Sequence, residues 1–196
     1  MKKVFLVSIL QTFFFIVINA QNPDKKINEI GIDLNGSVFG VRYNIGNKST
    51  ALRLSLLSVN GYATNYKSAN SSGPKTNSQG VSFQIGFEKR KLISEGLFYY
   101  LGSDLMNSMS KYTYKDNNST TTTFTFSPGL GLVMGLGYNI SDKFKISAEV
   151  IPHISYSYQK DSQTYNGIKS STTSTQLDYS FKSDGVFLTV QYRMGK

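Results

Sequence analysis

The chain has 196 residues, with 21 Lys and Arg against 12 Asp and Glu, a formal charge of +9, one histidine and no cysteine. The missing cysteines exclude disulfides, thiolate metal sites and an acylated lipoprotein cysteine, and a single histidine leaves no transition-metal cluster to build. A basic balance raises the question of nucleic acid, but the chain has no basic helix or finger motif, so none is expected.

The first twenty residues read as a separate device. Lys2 and Lys3 precede an apolar run from Val4 to Ile18, and Ile18-Asn19-Ala20 then leads into the polar stretch Gln21 to Lys26. That is the layout of a cleaved secretory signal, and at about fifteen residues the run is short for a spanning helix. Residues 21–196 are expected to form one domain of 176 residues, with a charge of +7 once Lys2 and Lys3 are gone. Nothing after residue 20 is apolar enough for a transmembrane helix. In a membrane, such a chain has to close into a barrel.

Alternation lays out the strands. Ile27 to Leu34 puts Ile30, Ile32 and Leu34 on one face and Glu29, Gly31 and Asp33 on the other. Asn35-Gly36 signals a hairpin, and Val38 to Ile45 returns with Phe39, Val41 and Tyr43 outward. Gly46 to Ser49 turns into a third strand, Ala51 to about Tyr66, which opens with Leu52, Leu54 and Leu56 outward against Arg53 and Ser55. Lys67 to Asn77 reads as a polar loop. Ser78 to Lys89 is a fourth strand, with Val81, Phe83, Ile85 and Phe87 outward and Ser82, Gln84, Gly86 and Glu88 inward. A turn near Ile93 to Gly96 precedes a fifth, Leu97 to about Tyr114. Lys115 to Thr122 is a second polar loop, although Thr120 to Thr123 has the β-propensity to prolong the hairpin.

The sixth strand, Thr123 to Asn139, is the clearest. Phe124, Phe126, Pro128, Leu130, Leu132, Met134, Leu136 and Tyr138 alternate with Thr125, Ser127, Gly129, Gly131, Val133, Gly135 and Gly137. Ordinary strands run about 5–6 residues, whereas a tilted strand needs about 9–11 to cross a bilayer. The glycine face suits the concave side of a narrow barrel. Ser141 to Lys143 turns into a seventh strand, Phe144 to Tyr158, with Phe144, Ile146, Ala148, Val150, Ile154 and Tyr156 outward. A long loop, Gln159 to about Gln176, whose last flank has room to extend the strands above the membrane, precedes the last strand, Gly185 to Met194, with Val186, Leu188, Val190, Tyr192 and Met194 outward.

Eight strands follow, joined mostly by alternating short turns and long Ser/Thr/Asn-rich loops, the asymmetry of outer-membrane barrels. Leu56-Leu57 and Leu105-Met106 break the alternation, and a bulge is expected at each, since a slip would turn the oily face inward. Tyr43, Phe87, Tyr99, Tyr138, Phe144 and Tyr192 fall outward next to short turns and are expected to form a periplasmic-side girdle. Tyr62, Tyr66, Tyr112, Tyr114, Phe124, Tyr156 and Tyr158 crowd the opposite end.

Three stretches, NEIGIDL (Asn28 to Leu34), GLGLVMGLGYNISDKFKISAEV (Gly129 to Val150) and GVFLTVQYRM (Gly185 to Met194), resemble the OmpA-like and OmpX-like small outer-membrane barrels of Gram-negative bacteria. The resemblance implies an all-β, eight-stranded antiparallel up-and-down transmembrane barrel after a cleaved signal peptide. It implies an integral place in the bacterial outer membrane, with loops extracellular and short turns periplasmic. The implied partners are outer-membrane lipid and lipopolysaccharide, together with the barrel assembly machinery, which reads a terminal aromatic. Here the last strand carries Tyr192 and runs on through Arg193-Met194-Gly195-Lys196.

The inward alternates collect Glu29, Asp33, Glu88, Asp104 and Glu149 with Arg42, Arg53, Arg90, Lys145 and Arg193. Five acids against five bases predict a charge-paired lumen, because matched charges can satisfy one another where lone ones are costly. An eight-stranded barrel is just wide enough for its own side chains, which favours a plugged interior over a narrow path for ions or small solutes. His153, Ser155 and Glu149 share the inward face and superficially offer base, nucleophile and orienting acid. A lipid-directed site should face the membrane, however, so a hydrogen-bonded lumen histidine is the better reading. The expected protein is a non-enzymatic outer-membrane barrel acting in envelope structure or surface contact, without catalytic residues, metal or cofactor. A porin-like channel is the alternative, a lipid A-modifying enzyme is further off, and a soluble lipocalin-like barrel would need the two faces reversed.

Overall fold

The computed structural model describes residues 26–35, 38–68, 71–116, 118–180 and 186–194. The expected signal segment 1–20, Gly36 of the first hairpin, Gly185 and the terminal Gly195-Lys196 lie outside them. The elements are β1 (Ile27–Asn35), β2 (Val38–Gly46), β3 (Thr50–Ser68), β4 (Ser71–Leu92), β5 (Leu97–Lys115), β6 (Ser119–Asn139), β7 (Phe144–Val150), β8 (His153–Tyr165), β9 (Ile168–Ser180) and β10 (Val186–Met194). Each strand from β1 to β6 pairs with the next, β7 pairs with β10, and β10 pairs with β1. The ring closes on eight antiparallel strands, so no edge is left at its waist.

The wall is inside out. Ile32, Leu130, Leu132, Leu136 and Leu188 are each more than half exposed on its outer face, while the largest fully buried side chains include Arg42, Arg53 and Glu29. A water-soluble fold places these classes the other way round. An apolar wall around a polar interior is the arrangement that lipid demands, and it removes the lipocalin-like alternative.

Four expectations about the strands need correction. Lys67 to Asn77, Lys115 to Thr122 and Gln159 to Gln176 are largely strand, not loop. The β3–β4 ladder runs to Ser68↔Ser71, β5–β6 to Lys115↔Thr120, and β8–β9 is a hairpin closed at Tyr165↔Ile168. Its turn residues Asn166 and Gly167 have φ of 48° and 82°, the positive angles that a two-residue type I′ hairpin requires. The bulge expected at Leu105-Met106 is absent. β5 pairs with β4 and β6 without a shift there, and Met106 instead packs inward against the apolar core. The bulge at Leu56-Leu57 is present as a shift between Leu56 and Ser58, and a second lies between Asn65 and Lys67.

Phe144 to Tyr158 forms two strands, interrupted at Ile151-Pro152. Proline has no N–H to give the ladder, and Pro152 still accepts a 2.9 Å hydrogen bond from the Leu132 N–H. The register is kept, Met134↔Val150 below the break and Gly131↔His153 above it. Over the upper half of β6 the partner is therefore β8, with β9 beyond it. A six-stranded sheet, β3-β4-β5-β6-β8-β9, rises past the short β1–β2 hairpin at the loop end.

Candidate functional site

All ten inward charges meet in the lumen of the ring. Alternation brings Glu29 and Asp33 in from β1, Arg42 from β2, Arg53 from β3 and Glu88 and Arg90 from β4; Asp104 enters from β5, Lys145 and Glu149 from β7 and Arg193 from β10. Glu149 is the hub. Arg42 Nη1 donates to its Oε2 at 2.9 Å, and the two terminal nitrogens of Arg53 donate to Oε2 and Oε1, each at 2.9 Å. Tyr100 adds its hydroxyl to Oε2 at 2.8 Å.

The chain of pairs runs outward from there. Arg42 Nε donates to Asp33 at 3.0 Å, and Asp33 also receives the Thr189 hydroxyl at 2.8 Å. Arg53 reaches Glu88 at 3.0 Å and lies 3.3 Å from Asp104. Arg90 bridges Glu88 at 2.6 Å and Glu29 at 2.7 Å. Glu29 in turn holds Lys145 at 2.7 Å and Arg193 at 3.2 Å, towards the turn end. Arg42, Arg53, Glu29, Asp33 and Asp104 are each 1% exposed. Such a network is costly to break at one member, because the partner is left charged and dry.

An apolar cluster fills the remaining sector of the lumen. It consists of Phe98, Tyr100, Val133, Ile151 and Phe187, with Leu57 and Met106 packed against it. The glycines of β6 make room for it. A methyl at Gly135 would overlap the Tyr100 ring, one at Gly137 the Phe98 ring, and one at Gly131 would come within 2.6 Å of Ile151. The run GLGLVMGLG is thus half of a packing interface whose other half is Phe98 and Tyr100 on β5. Lys145 joins the two sectors, its ammonium 5.6 Å from the centre of the Phe98 ring.

Sequence reasoning did not name Tyr100, Thr189, Phe98 or Phe187. The signal for two of them was available, since β5 with Tyr99 outward must send Phe98 and Tyr100 inward, opposite glycines. His153 is half-buried with Nδ1 3.2 Å from the Ile151 carbonyl oxygen. Both Glu149 oxygens are taken by Arg42, Arg53 and Tyr100, so the carboxylate is already engaged away from any His–Ser pair. Among the described residues no group of three or more His, Cys, Asp and Glu could hold a metal.

Tyr43, Phe87, Tyr99, Tyr138, Phe144 and Tyr192 all lie on outward alternates near the turn end, and Phe144 packs edge-on against Tyr192 with ring centres 5.3 Å apart. At the loop end the aromatics divide. Phe124, Tyr156 and Tyr158 point outward, whereas Tyr62, Tyr112 and Tyr114 share the inner face with Ser78 and Thr123. The Tyr66 side chain lies outside the described residues.

A major outer membrane protein from Thermus thermophilus superposes with a TM-score of 0.51, at 12% identity over 86% of this chain and 99% of that one. The likeness is one of fold. Neisserial surface protein A aligns at 14% identity over 86% of this chain and 94% of its own, with a TM-score of 0.39. The Yersinia pestis attachment invasion locus protein Ail aligns at 12% over 86% and 95%, with a TM-score of 0.31. No protein-family model matches the chain, nor does any curated protein.

Proposed function

We propose that this chain is a non-enzymatic, integral protein of the bacterial outer membrane with a closed lumen, acting in envelope structure or surface contact. The lipid-facing wall anchors it, the charge network rigidifies it, and the six-stranded sheet at the loop end stands on the extracellular side. Outer-membrane lipid, lipopolysaccharide and the barrel assembly machinery are its partners in this reading. One observation carries it: the ion-paired chain from Asp33 through Arg42, Glu149, Arg53, Glu88 and Arg90 to Glu29 spans the lumen with almost no exposed surface. An eight-stranded barrel so filled leaves no room for hydrated ions. The test is conductance of the purified barrel in a planar bilayer. A flat baseline is expected, and reproducible unitary steps would overturn the reading.

A second reading has its own observation. The side-chain amides of Asn44 and Gln84 and the Ser55 hydroxyl are buried and make no hydrogen bond within the described protein. Buried polar groups of this kind are satisfied by ordered water, and a continuous file of such waters beside the network would make the barrel a narrow, ion-selective channel. The same conductance trace distinguishes the two.

A further inference from the structure

We propose that Lys111 and Lys160, on the outer wall at the loop end, clamp the phosphate of a membrane lipid whose headgroup is anionic overall, while its acyl chain lies in the apolar cleft below them. The inference rests on the outer wall facing lipid and holds whether or not the lumen conducts.

Three observations converge. The first is the register. Lys111 on β5 is opposite Phe124 on β6, and Phe124 is opposite Lys160 on β8. Neighbouring strands are about 4.8 Å apart, so the two lysines sit about 10 Å apart, one on each side of a phenylalanine that is 40% exposed. That is a gap one phosphate can fill with an ammonium on either side.

The second is height. From Tyr138 in the turn-end girdle to Phe124 is fourteen residues along β6. At about 3.3 Å per residue and a tilt near 40° the rise is about 35 Å. An outer-membrane apolar band is about 25 Å tall and bounded by aromatics. Phe126 and Tyr158, one row below the lysines, therefore sit at the bilayer boundary, and Lys111 and Lys160 sit within the headgroup layer.

The third is the sorting of charge. In the loop-end half of β4, β5, β6, β8 and β9, the outward alternates carry Lys75, Lys111, Lys115, Lys160 and Lys169, all exposed, and no Asp or Glu. The acids of this region, Asp161 and Asp178, lie on the inner face. A surface evolved only for solubility would mix the signs. Here the cations are confined to the outward face, and Lys111 and Lys160, in the row four residues below Lys75, Lys115 and Lys169, are the two at headgroup height, where a lysine gains from anionic lipid.

The cleft supplies the rest of the lipid. It opens on the outer wall at the Ile151-Pro152 break, with a volume of about 580 Å³, and Leu130, Leu132, Pro152, Ile154 and Tyr179 are among its lining. Ile154 is six residues below Lys160 on the same strand, or about 20 Å, which is within reach of a fatty acyl chain descending from the headgroup plane.

The test uses the full barrel in nanodiscs of phosphatidylcholine doped with phosphatidylglycerol, released into native mass spectrometry, with retained lipids counted. The wild type is expected to retain phosphatidylglycerol preferentially. K111Q/K160Q lowers that preference by about thirtyfold, K111R/K160R keeps it, and K48Q/K143Q at the turn end leaves most of it. Raising salt weakens the wild-type preference. A double glutamine variant that retains the anionic lipid as the wild type does, a wild type without preference, or a preference insensitive to salt would each overturn the assignment. Unboiled gel mobility verifies that every variant is folded, and a conducting wild type would count against the closed lumen without touching this result.

Discussion

Replacing Glu149 by glutamine removes the negative charge shared by two buried guanidinium groups. Arg42 keeps Asp33, and Arg53 keeps Glu88 and Asp104, but the lumen then holds one positive charge without a counterpart. Removing one partner of a buried pair typically costs about 3–5 kcal/mol, and E149Q is expected in that range. The R53Q/E149Q double variant restores the balance of charge. It should lose less than the sum of the two single changes, with a coupling of about 1–3 kcal/mol. The assay is urea unfolding of the barrel in phosphatidylcholine vesicles, with the folded fraction read from unboiled gel mobility. An E149Q loss below about 0.5 kcal/mol, or strict additivity in the cycle, would refute the claim that these charges act as one network.

The glycine face of β6 gives a repair experiment: G135L should prevent folding by overlapping the Tyr100 ring, and Y100A in the same chain should restore at least part of the folded yield, as judged by gel mobility. Leu132 is halfway between Tyr138 and Phe126 on the lipid side. L132R should therefore cost about 2–4 kcal/mol in the vesicle titration, and a neutral effect would place the membrane elsewhere. Above the apolar band of the bilayer, hydrogen bonds from the Thr123 hydroxyl at 2.6 Å and the Gln159 amide at 2.8 Å hold the Asp161 carboxyl below the usual aspartate range. Its contribution is present above that range and is lost as pH falls through the lowered value. NMR titration should show T123V moving Asp161 back upward, and an unmoved midpoint would dismiss the hydroxyl as the cause.

The lipid-facing and lumen-facing sets were legible because each strand inside the bilayer has two strongly different faces. The period of two then assigns Glu29, Arg53 or Leu132 without ambiguity. Above the bilayer both faces meet water. Ser170 to Gln176 shows no oily alternation, and a Ser/Thr-rich stretch that reads as loop is a β-branched strand held by its hairpin partner. The Tyr165-Asn166-Gly167-Ile168 turn carried an Asn-Gly signal of the strongest hairpin kind, which the composition of its flanks concealed. Met106 was misjudged for a related reason. An apolar residue on the inward alternate suggests a bulge only if the lumen is wholly polar, and this lumen has an apolar sector. The same assumption hid Phe98 and Phe187. Which charges share a face follows from parity, but the bond pattern that makes Glu149 the hub depends on barrel closure, which brings β7 within reach of β2 and β3.

An inside-out closed barrel belongs in the outer membrane and resists unfolding by detergent until it is heated. The most direct test is heat-modifiability of the protein taken from an isolated outer-membrane fraction, with boiled and unboiled samples compared on a detergent gel. Recovery in that fraction and a clear mobility difference on boiling are expected. A protein found in the soluble periplasmic fraction, with one mobility before and after boiling, would contradict it.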